Sequence, residues 1–213
     1  MKNILVYADS LSWGIVPETR NRLAFEARWP GVLENTLITL GKKNRVIENC
    51  LNGRRTVWDD PFKAGRNGAA GLAQVIEMHS PLDLVVLMLG TNDFQCTHQN
   101  NAWLCAQGVN TLIQIIRNAP IEPGMPTPNI LVACPPKITQ PKGSIAPKFA
   151  GAESRDQGLP EALEVVCTSA KTYFFDANSV IHASAIDGIH LDQADHKILG
   201  EALAQAILKH ALI

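Results

Sequence analysis

Five strand-length apolar runs alternate along this chain with longer segments of helical period, and no other feature constrains the fold as much. Leu84–Leu89 is apolar at every position, as a strand buried on both faces of a parallel sheet must be. The predicted strands are Asn3–Ala8, Arg45–Cys50, Leu82–Leu89, Asn129–Cys134 and Thr172–Asp176. We therefore predict an α/β fold built on a five-stranded parallel sheet with helices on both faces.

Apolar residues recur three and four positions apart between these runs, which is the period of a helix with one buried face. The predicted helices are Gly31–Leu40, Ala69–His79, Ala102–Asn118, Leu159–Lys171 and Ala194–His210. In the last of them the predicted apolar stripe includes Ile198, Leu199 and Leu203. A chain of 213 residues is long enough for one well-buried domain and short for two, so we predict a single domain over residues 1–213.

The charge balance argues against two classes of partner. With 19 Lys and Arg against 20 Asp and Glu, the chain has no excess positive charge to bind a phosphate backbone or an anionic membrane. The longest apolar run is too short to cross a bilayer, and the first residues do not form a secretion signal. Five cysteines, widely spaced and without a C-x-x-C pair, suggest neither disulfides nor zinc, so we predict a cytoplasmic location.

One region of the chain is rich in proline. Nine of the 13 prolines lie between residues 119 and 160. Apart from the predicted strand Asn129–Cys134, we read this region as loop. Because long loops in compact domains tend to be functional, Pro136–Gly158 is predicted to form a pocket wall or a contact between subunits.

Polar residues follow the predicted strands at the sheet edge where ligands bind in parallel folds. Asp187 and His190 are three residues apart, so the carboxylate can reach one ring nitrogen in a turn while the other nitrogen points towards a serine. Ser10, after the first strand, is the natural candidate. A serine hydroxyl becomes a nucleophile when a histidine takes its proton and a carboxylate orients that histidine.

Attack on an ester carbonyl creates an oxyanion, which needs hydrogen-bond donors already in place. We predict three donors, each following a different strand. They are the backbone N–H of Ser10, the N–H of Gly53 and the side-chain amide of Asn92.

The same residues carry a family resemblance. The ordered blocks are Asp9-Ser10-Leu11-Ser12, Asn52-Gly53, Gly90-Thr91-Asn92-Asp93 and Asp187-x-x-His190. They resemble the four signature blocks of the SGNH (GDSL-type) hydrolases, and further segments resemble the bacterial arylesterase and acyltransferase (perhydrolase-like) branch. The resemblance implies a three-layer α/β/α sandwich, Ser10 as nucleophile, His190 as base and Asp187 as its orienting acid. The first block normally begins with glycine, and here Ala8 takes that place, which would cause strain if a positive φ were required.

Simpler interpretations exist for several of these residues. Ser10 is also a suitable helix cap, and Asn92 and Asp93 are also good turn residues. His190 and His196 with Asp192 superficially resemble a metal cluster, although no ligand spacing typical of zinc recurs, and His196 fits the exposed start of the last helix.

Five further residues have only local interpretations. Trp13 and Ile15 belong either to the core or to an acyl pocket. Arg54 and Arg55 are expected in a surface or subunit salt bridge more than at an anionic substrate group. Cys96 is expected to be buried or half-buried and unreactive.

The sequence therefore predicts a serine esterase that hydrolyses short-chain acyl esters through an acyl-enzyme, with acyl transfer to alcohols or peroxide. The predicted partners are a small ester substrate and further copies of the chain, with no nucleic acid, membrane, metal or cofactor. Two alternatives remain open at this point. One is a thioesterase or lysophospholipase using the same residues, and the other is a non-catalytic α/β binding module.

Overall fold

A computed structural model describes residues 1–213 and contains one five-stranded sheet. The strands are β1 (Lys2–Ala8), β2 (Asn44–Cys50), β3 (Leu84–Met88), β4 (Asn129–Cys134) and β5 (Tyr173–Asp176). Every neighbouring pair is parallel, and the order across the sheet is β2-β1-β3-β4-β5. The predicted parallel sheet and its five strands are confirmed.

Seven α-helices connect and cover the strands. They are α1 (Ser10–Trp13), α2 (Trp29–Thr39), α3 (Leu72–His79), α4 (Ala102–Arg117), α5 (Ala152–Arg155), α6 (Leu159–Ser169) and α7 (Gln193–Lys209). Short 3₁₀ turns occupy Phe25–Ala27, Thr91–Phe94, Gly143–Phe149 and Ala177–Ser179. None of the helices is both long enough and apolar enough to span a membrane.

Alternate residues of β1 explain why helices cover both faces of the sheet. Leu5 and Tyr7 point into a core cluster of 27 buried residues that includes apolar side chains of α3, α4 and α6. Ile4 and Val6 point the opposite way, into a cluster of 21 buried residues shared with α2 and α7. Period-2 alternation in a strand thus divides the core into two layers, and the sheet is buried on both sides. The three-layer α/β/α arrangement is confirmed.

The proline-rich segment Pro136–Gly158 is packed against the rest of the domain along much of its length. Ile138 and Phe149 are 2% and 1% exposed, and Ile145 packs against the larger core cluster. The backbone of this segment also bonds to the turn that carries Asp187, through Thr139 N–H to the Gly188 carbonyl and Lys142 N–H to the Asp187 carbonyl, both at 3.0 Å. The segment therefore supports the turn directly, and Ile138 and Phe149 are buried within the chain.

Candidate active site

Ser10 is the first residue of α1, immediately beyond the carboxyl end of β1. Asp9 caps this short helix, because its carboxylate accepts a hydrogen bond from the Leu11 N–H at 3.0 Å. Ser10 is therefore not the cap, and its hydroxyl is free for another partner. Ala8 ends β1 without a positive φ, so a methyl group in place of the usual glycine causes no backbone strain.

The turn before α7 brings a carboxylate and an imidazole together. Asp187 Oδ1 accepts hydrogen bonds from the backbone N–H groups of Ile189 and His190, each at 2.9 Å. Gly188, which directly follows Asp187, has φ +78°, and a Cβ there would lie 2.4 Å from the Gln140 carbonyl oxygen. Glycine is required at this position both by its left-handed backbone and by the close approach of the proline-rich segment.

The three side chains form a continuous hydrogen-bonded series. Asp187 Oδ2 lies 2.6 Å from His190 Nδ1, and His190 Nε2 lies 3.2 Å from Ser10 Oγ. All three residues are at most 5% exposed. Burial works to raise the pKa of Asp187, but the hydrogen bonds and charge of His190 outweigh it and hold that pKa below its ordinary value. Asp187 is thus an anion suited to orient His190 and to stabilise it when protonated.

The three residues predicted to supply oxyanion donors line one cavity, and each lies just after a different strand. Gly53 has φ +83°, which favours glycine, and its N–H donates to no other group in the chain. The N–H of Ser10 is at the amino end of α1, where helical N–H groups lack an intrahelical acceptor. The Asn92 amide donates one hydrogen to Asp9 Oδ2 at 2.9 Å, which leaves its second hydrogen available.

A buried polar network lies behind Asn92 and was not predicted from the sequence. Gln95 Nε2 donates to Asn92 Oδ1 at 2.6 Å, and the Arg55 guanidinium donates to Gln95 Oε1 at 2.7 Å. Because its oxygen is held by Gln95, the Asn92 amide must present its nitrogen to the site. Burial raises the pKa of Asp9 to about 6, against the hydrogen bonds from Leu11 and Asn92 and the nearby charges of His190 and Arg54.

The cavity beside Ser10 is small and its rim is cationic. Its volume is about 50 Å³, and a neighbouring cavity of about 20 Å³ adjoins His190. The residues that line the first are Ser10, Ile15, Arg20, Asn52, Gly53, Lys63, Asn92, Ile145, Lys148, Phe149 and His190. Ile15 therefore belongs to the pocket wall, whereas Trp13 lies outside it and stacks with the Arg22 guanidinium, 4.7 Å from the ring centroid.

Two expectations for the arginines were wrong. Arg54 and Arg55 are 8% and 0% exposed, so neither makes a surface or subunit salt bridge. Arg54 donates to the Ala8 carbonyl at 2.9 Å and lies 3.9 Å from the centroid of the Tyr7 ring. Arg55 pairs with the buried Asp60 at 3.3 Å. Both charges are used inside the fold, where they hold the loop after β2 in place.

His196 and Cys96 also differ from expectation. His196 is 0% exposed, and its Nδ1 accepts the Trp29 N–H at 3.2 Å, so this histidine joins α7 to α2 and does not lie at an exposed helix start. Cys96 is exposed, because the loop after the Thr91–Phe94 turn runs over the surface. No group of three or more His, Cys, Asp or Glu side chains is arranged to hold a metal ion.

Comparisons with known proteins gave a family model and solved structures to which this chain is similar. The sequence model of the GDSL-like Lipase/Acylhydrolase family matches residues 9–198. The inhibitor-bound aryl esterase of M. smegmatis is 34% identical, with a TM-score of 0.93 over 100% of both chains. A carbohydrate acetylesterase family member from Sinorhizobium meliloti is 34% identical, with a TM-score of 0.91 over 98% of both chains. A comparison with curated protein sequences gave no significant match.

Proposed function

Because the chain belongs to the GDSL-like lipase/acylhydrolase family and is a carboxylic ester hydrolase, we propose that it cleaves short-chain acyl esters through Ser10, His190 and Asp187. The single observation that carries this proposal is the continuous hydrogen-bonded series from Asp187 through His190 to Ser10. A serine, a histidine and a carboxylate in this order are the components of an activated nucleophile.

In the acylation step His190 Nε2 takes the Ser10 hydroxyl proton while Oγ attacks the ester carbonyl carbon. The carbonyl oxygen becomes an oxyanion that accepts hydrogen bonds from the Ser10 N–H, the Gly53 N–H and the Asn92 amide. When the tetrahedral intermediate collapses, the bond to the alcohol oxygen breaks and His190 returns its proton to that oxygen. The products of this step are the free alcohol and an ester of Ser10.

Deacylation repeats the chemistry with a second nucleophile. His190 removes a proton from a water molecule, whose oxygen attacks the acyl-enzyme carbonyl, and the Ser10 oxygen leaves with the proton from His190. An alcohol or hydrogen peroxide in place of water yields a new ester or a peracid by the same steps. Asp187 stays ionised throughout and stabilises the imidazolium in both half-reactions.

The size of the cavity argues for a short acyl group. About 50 Å³ of space beside Ser10 accommodates only a few atoms beyond the carbonyl carbon. Ile15, Ile145 and Phe149 provide its apolar surface. We therefore propose acetyl and similarly short esters as substrates, consistent with the acetylesterase and aryl esterase to which the chain is similar.

The experiment is a kinetic comparison on p-nitrophenyl acetate. We expect Ser10→Ala to lower kcat about 10⁴-fold or more, because only oxyanion stabilisation and binding would remain. His190→Ala should be comparably severe and Asp187→Asn somewhat less so. Ser169→Ala, at an exposed serine that ends α6, is the matched control and should match the parent. A Ser10→Ala variant that retains more than a tenth of the parent activity contradicts the proposal.

The parent protein is also assayed on p-nitrophenyl esters of increasing chain length and on acetyl-CoA. Rates should fall steadily beyond the shortest acyl chains. Faster turnover of acetyl-CoA than of the short oxygen esters would instead favour a thioesterase.

A further inference from the structure

Three cationic side chains line the cavity that contains Ser10. Arg20, Lys63 and Lys148 come from separate segments of the chain and are all exposed at the rim. No acidic residue lines this cavity. Lys142 adds a fourth cation in the adjoining cavity beside His190.

None of the three rim cations is engaged by a partner inside the chain. The six salt bridges of the protein involve other cationic residues, and no side-chain hydrogen bond from Arg20, Lys63 or Lys148 is present. Glu18, which is exposed, lines the adjoining cavity with Arg20 and Lys142 and is its one acidic residue besides Asp187. On the side of the cavity that contains Ser10, the rim cations therefore have no ion-paired acidic partner.

The rim cations are close enough to act on one another. The pKa of Lys148 is lowered first by partial burial and then by the charges of Arg55, Lys63 and Arg20, against the opposing effect of Asp60. Like charges held close together without an ion-paired partner oppose folding, because each raises the free energy of the others.

We propose that this rim binds the anionic part of the substrate, so that the enzyme prefers acetyl and other short-chain esters whose alcohol portion carries a carboxylate or sulfonate group. The inference rests on the proposed function, because it assigns the substrate class of that same site. A cleft lined by charge of one sign concentrates ligands of the opposite sign and accelerates their association.

The anionic group belongs to the alcohol portion for a geometric reason. The acyl group must occupy the confined space next to Ser10, where Ile15 and Phe149 form apolar walls. The alcohol portion leaves towards solvent and passes the exposed rim. An anion there interacts with Arg20, Lys63 and Lys148 without entering the apolar part of the cavity.

The test compares three acetyl esters of similar size: phenyl acetate, 4-acetoxybenzoate, which is anionic, and 4-acetoxyphenyl trimethylammonium, which is cationic. Each ester is assayed with the parent enzyme and with the triple variant Arg20→Gln/Lys63→Gln/Lys148→Gln. Comparing each ester with itself between two enzymes cancels the intrinsic reactivity of its leaving group. Thermal unfolding of both proteins checks that the variant is folded.

We expect the triple variant to lower kcat/KM for 4-acetoxybenzoate about tenfold more than for phenyl acetate, and to raise it for the cationic ester. The difference should shrink in high salt, because exposed charges are screened. Lys209→Gln, at the far end of the 17-residue helix α7, is the control and should leave all three ratios unchanged. Equal changes for the anionic and neutral esters, or no change for either, overturn the proposal.

Failure of the proposed function would look different. If Ser10 is not the nucleophile, Ser10→Ala retains activity on all three esters, whatever the rim variants do. If only the anion preference is wrong, Ser10→Ala abolishes turnover of every ester, while the triple substitution changes kcat/KM equally for all three esters. Faster hydrolysis of acetyl-CoA, an anionic thioester, than of 4-acetoxybenzoate would overturn the assignment to oxygen esters.

Discussion

At the scale of single residues, hydrogen bonds to buried neighbours fix the orientation of the Asn92 side-chain amide. Its side-chain oxygen is held by Gln95 and its nitrogen by Asp9, and Gln95 is in turn held by the fully buried Arg55. A side-chain amide has nearly the same shape after a 180° flip, so hydrogen bonds alone decide whether it offers a donor or an acceptor to the site. We therefore infer that Gln95 is a positioning residue for Asn92, the proposed oxyanion donor.

Replacing Gln95 by Leu should reduce kcat on p-nitrophenyl acetate about tenfold or more, with a smaller change in KM, because the Asn92 donor acts on charge present only in the transition state. Steady-state kinetics with a thermal unfolding curve separate this effect from loss of fold. Gln205→Leu, at an exposed position of α7, is the control. A variant whose KM rises while kcat is unchanged would show that Gln95 serves binding and not the oxyanion.

The candidate site residues were predictable from the sequence and the network behind them was not. Ser10 and Asn92 closely follow the ends of β1 and β3, and Asp187 and His190 are three residues apart in the turn before α7, so each carries a local signal in the sequence. Gln95 and Arg55 are brought together by the path of two loops, and their spacing of 40 residues carries no local signal. Arg55 was expected at the surface because arginines are mostly exposed, and its burial becomes understandable only with Asp60 and Gln95 around it.

At the scale of secondary-structure elements, α7 and α2 are joined by a buried histidine. His196 accepts the backbone N–H of Trp29 at the first turn of α2, where helical N–H groups have no intrahelical acceptor. Only a neutral imidazole accepts a hydrogen bond at Nδ1. The pKa of His196 is lowered to about 4, first by burial and then by the charges of His190 and Arg28.

This shift predicts a specific sensitivity to acid. Between pH 6.5 and pH 4 the unfolded chain takes up the proton before the folded one does, so His196 lowers the free energy of unfolding by roughly 2–4 kcal/mol as the pH falls across that range. His196→Gln lacks this titration while offering an oxygen to Trp29, and it should therefore lose less stability on acidification. Urea unfolding at pH 7 and pH 4.5 measures the difference.

The control is His182→Gln, at an exposed histidine, and this variant should lose as much stability on acidification as the parent. Asp9 and Asp93 have pKa values raised to about 6, mainly by burial, and act in the opposite direction, because the folded state takes up their protons first. Comparing variant with parent removes their contribution. An acid sensitivity in His196→Gln equal to that of the parent would contradict the assignment.

The strands and long helices were predicted closely, whereas short helices and 3₁₀ turns were missed. The strand Asn129–Cys134 has its predicted bounds, and α4 and α7 begin or end within a residue of theirs. The short helix α1 and the 3₁₀ turn at Gly143–Phe149 were not predicted, because three to seven residues do not establish a period. In α7 the buried stripe differs slightly from the predicted one, because Leu199 and Leu203 are buried but Ile198 is 43% exposed.

At the scale of the whole molecule, the chain is predicted to assemble with further copies, but the apolar residues of Pro136–Gly158 do not explain such an assembly. The apolar residues of the proline-rich segment, Ile138 and Phe149, are buried within the chain and cannot supply an interface. The large apolar side chains that are exposed lie elsewhere, with Phe62 at 86% and Trp103 at 62%. Any subunit contact must therefore use such residues or the polar surface of the segment.

We expect static light scattering at micromolar concentration to give a molar mass that is a multiple of 23.2 kDa. Phe62→Ser should then shift the distribution towards the monomer if the exposed ring is part of the contact. A monomeric mass for the parent protein at that concentration would contradict the prediction that the chain forms an oligomer.

Intact-protein mass spectrometry after treatment with a fluorophosphonate tests most directly whether Ser10 forms the covalent acyl-enzyme. The reagent phosphonylates an activated serine and displaces fluoride, so the added mass reports the nucleophile itself. We predict one adduct per chain, located on Ser10 by peptide mapping and absent from Ser10→Ala. A parent protein that gains no mass, or an adduct that persists at another residue in Ser10→Ala, would contradict the account.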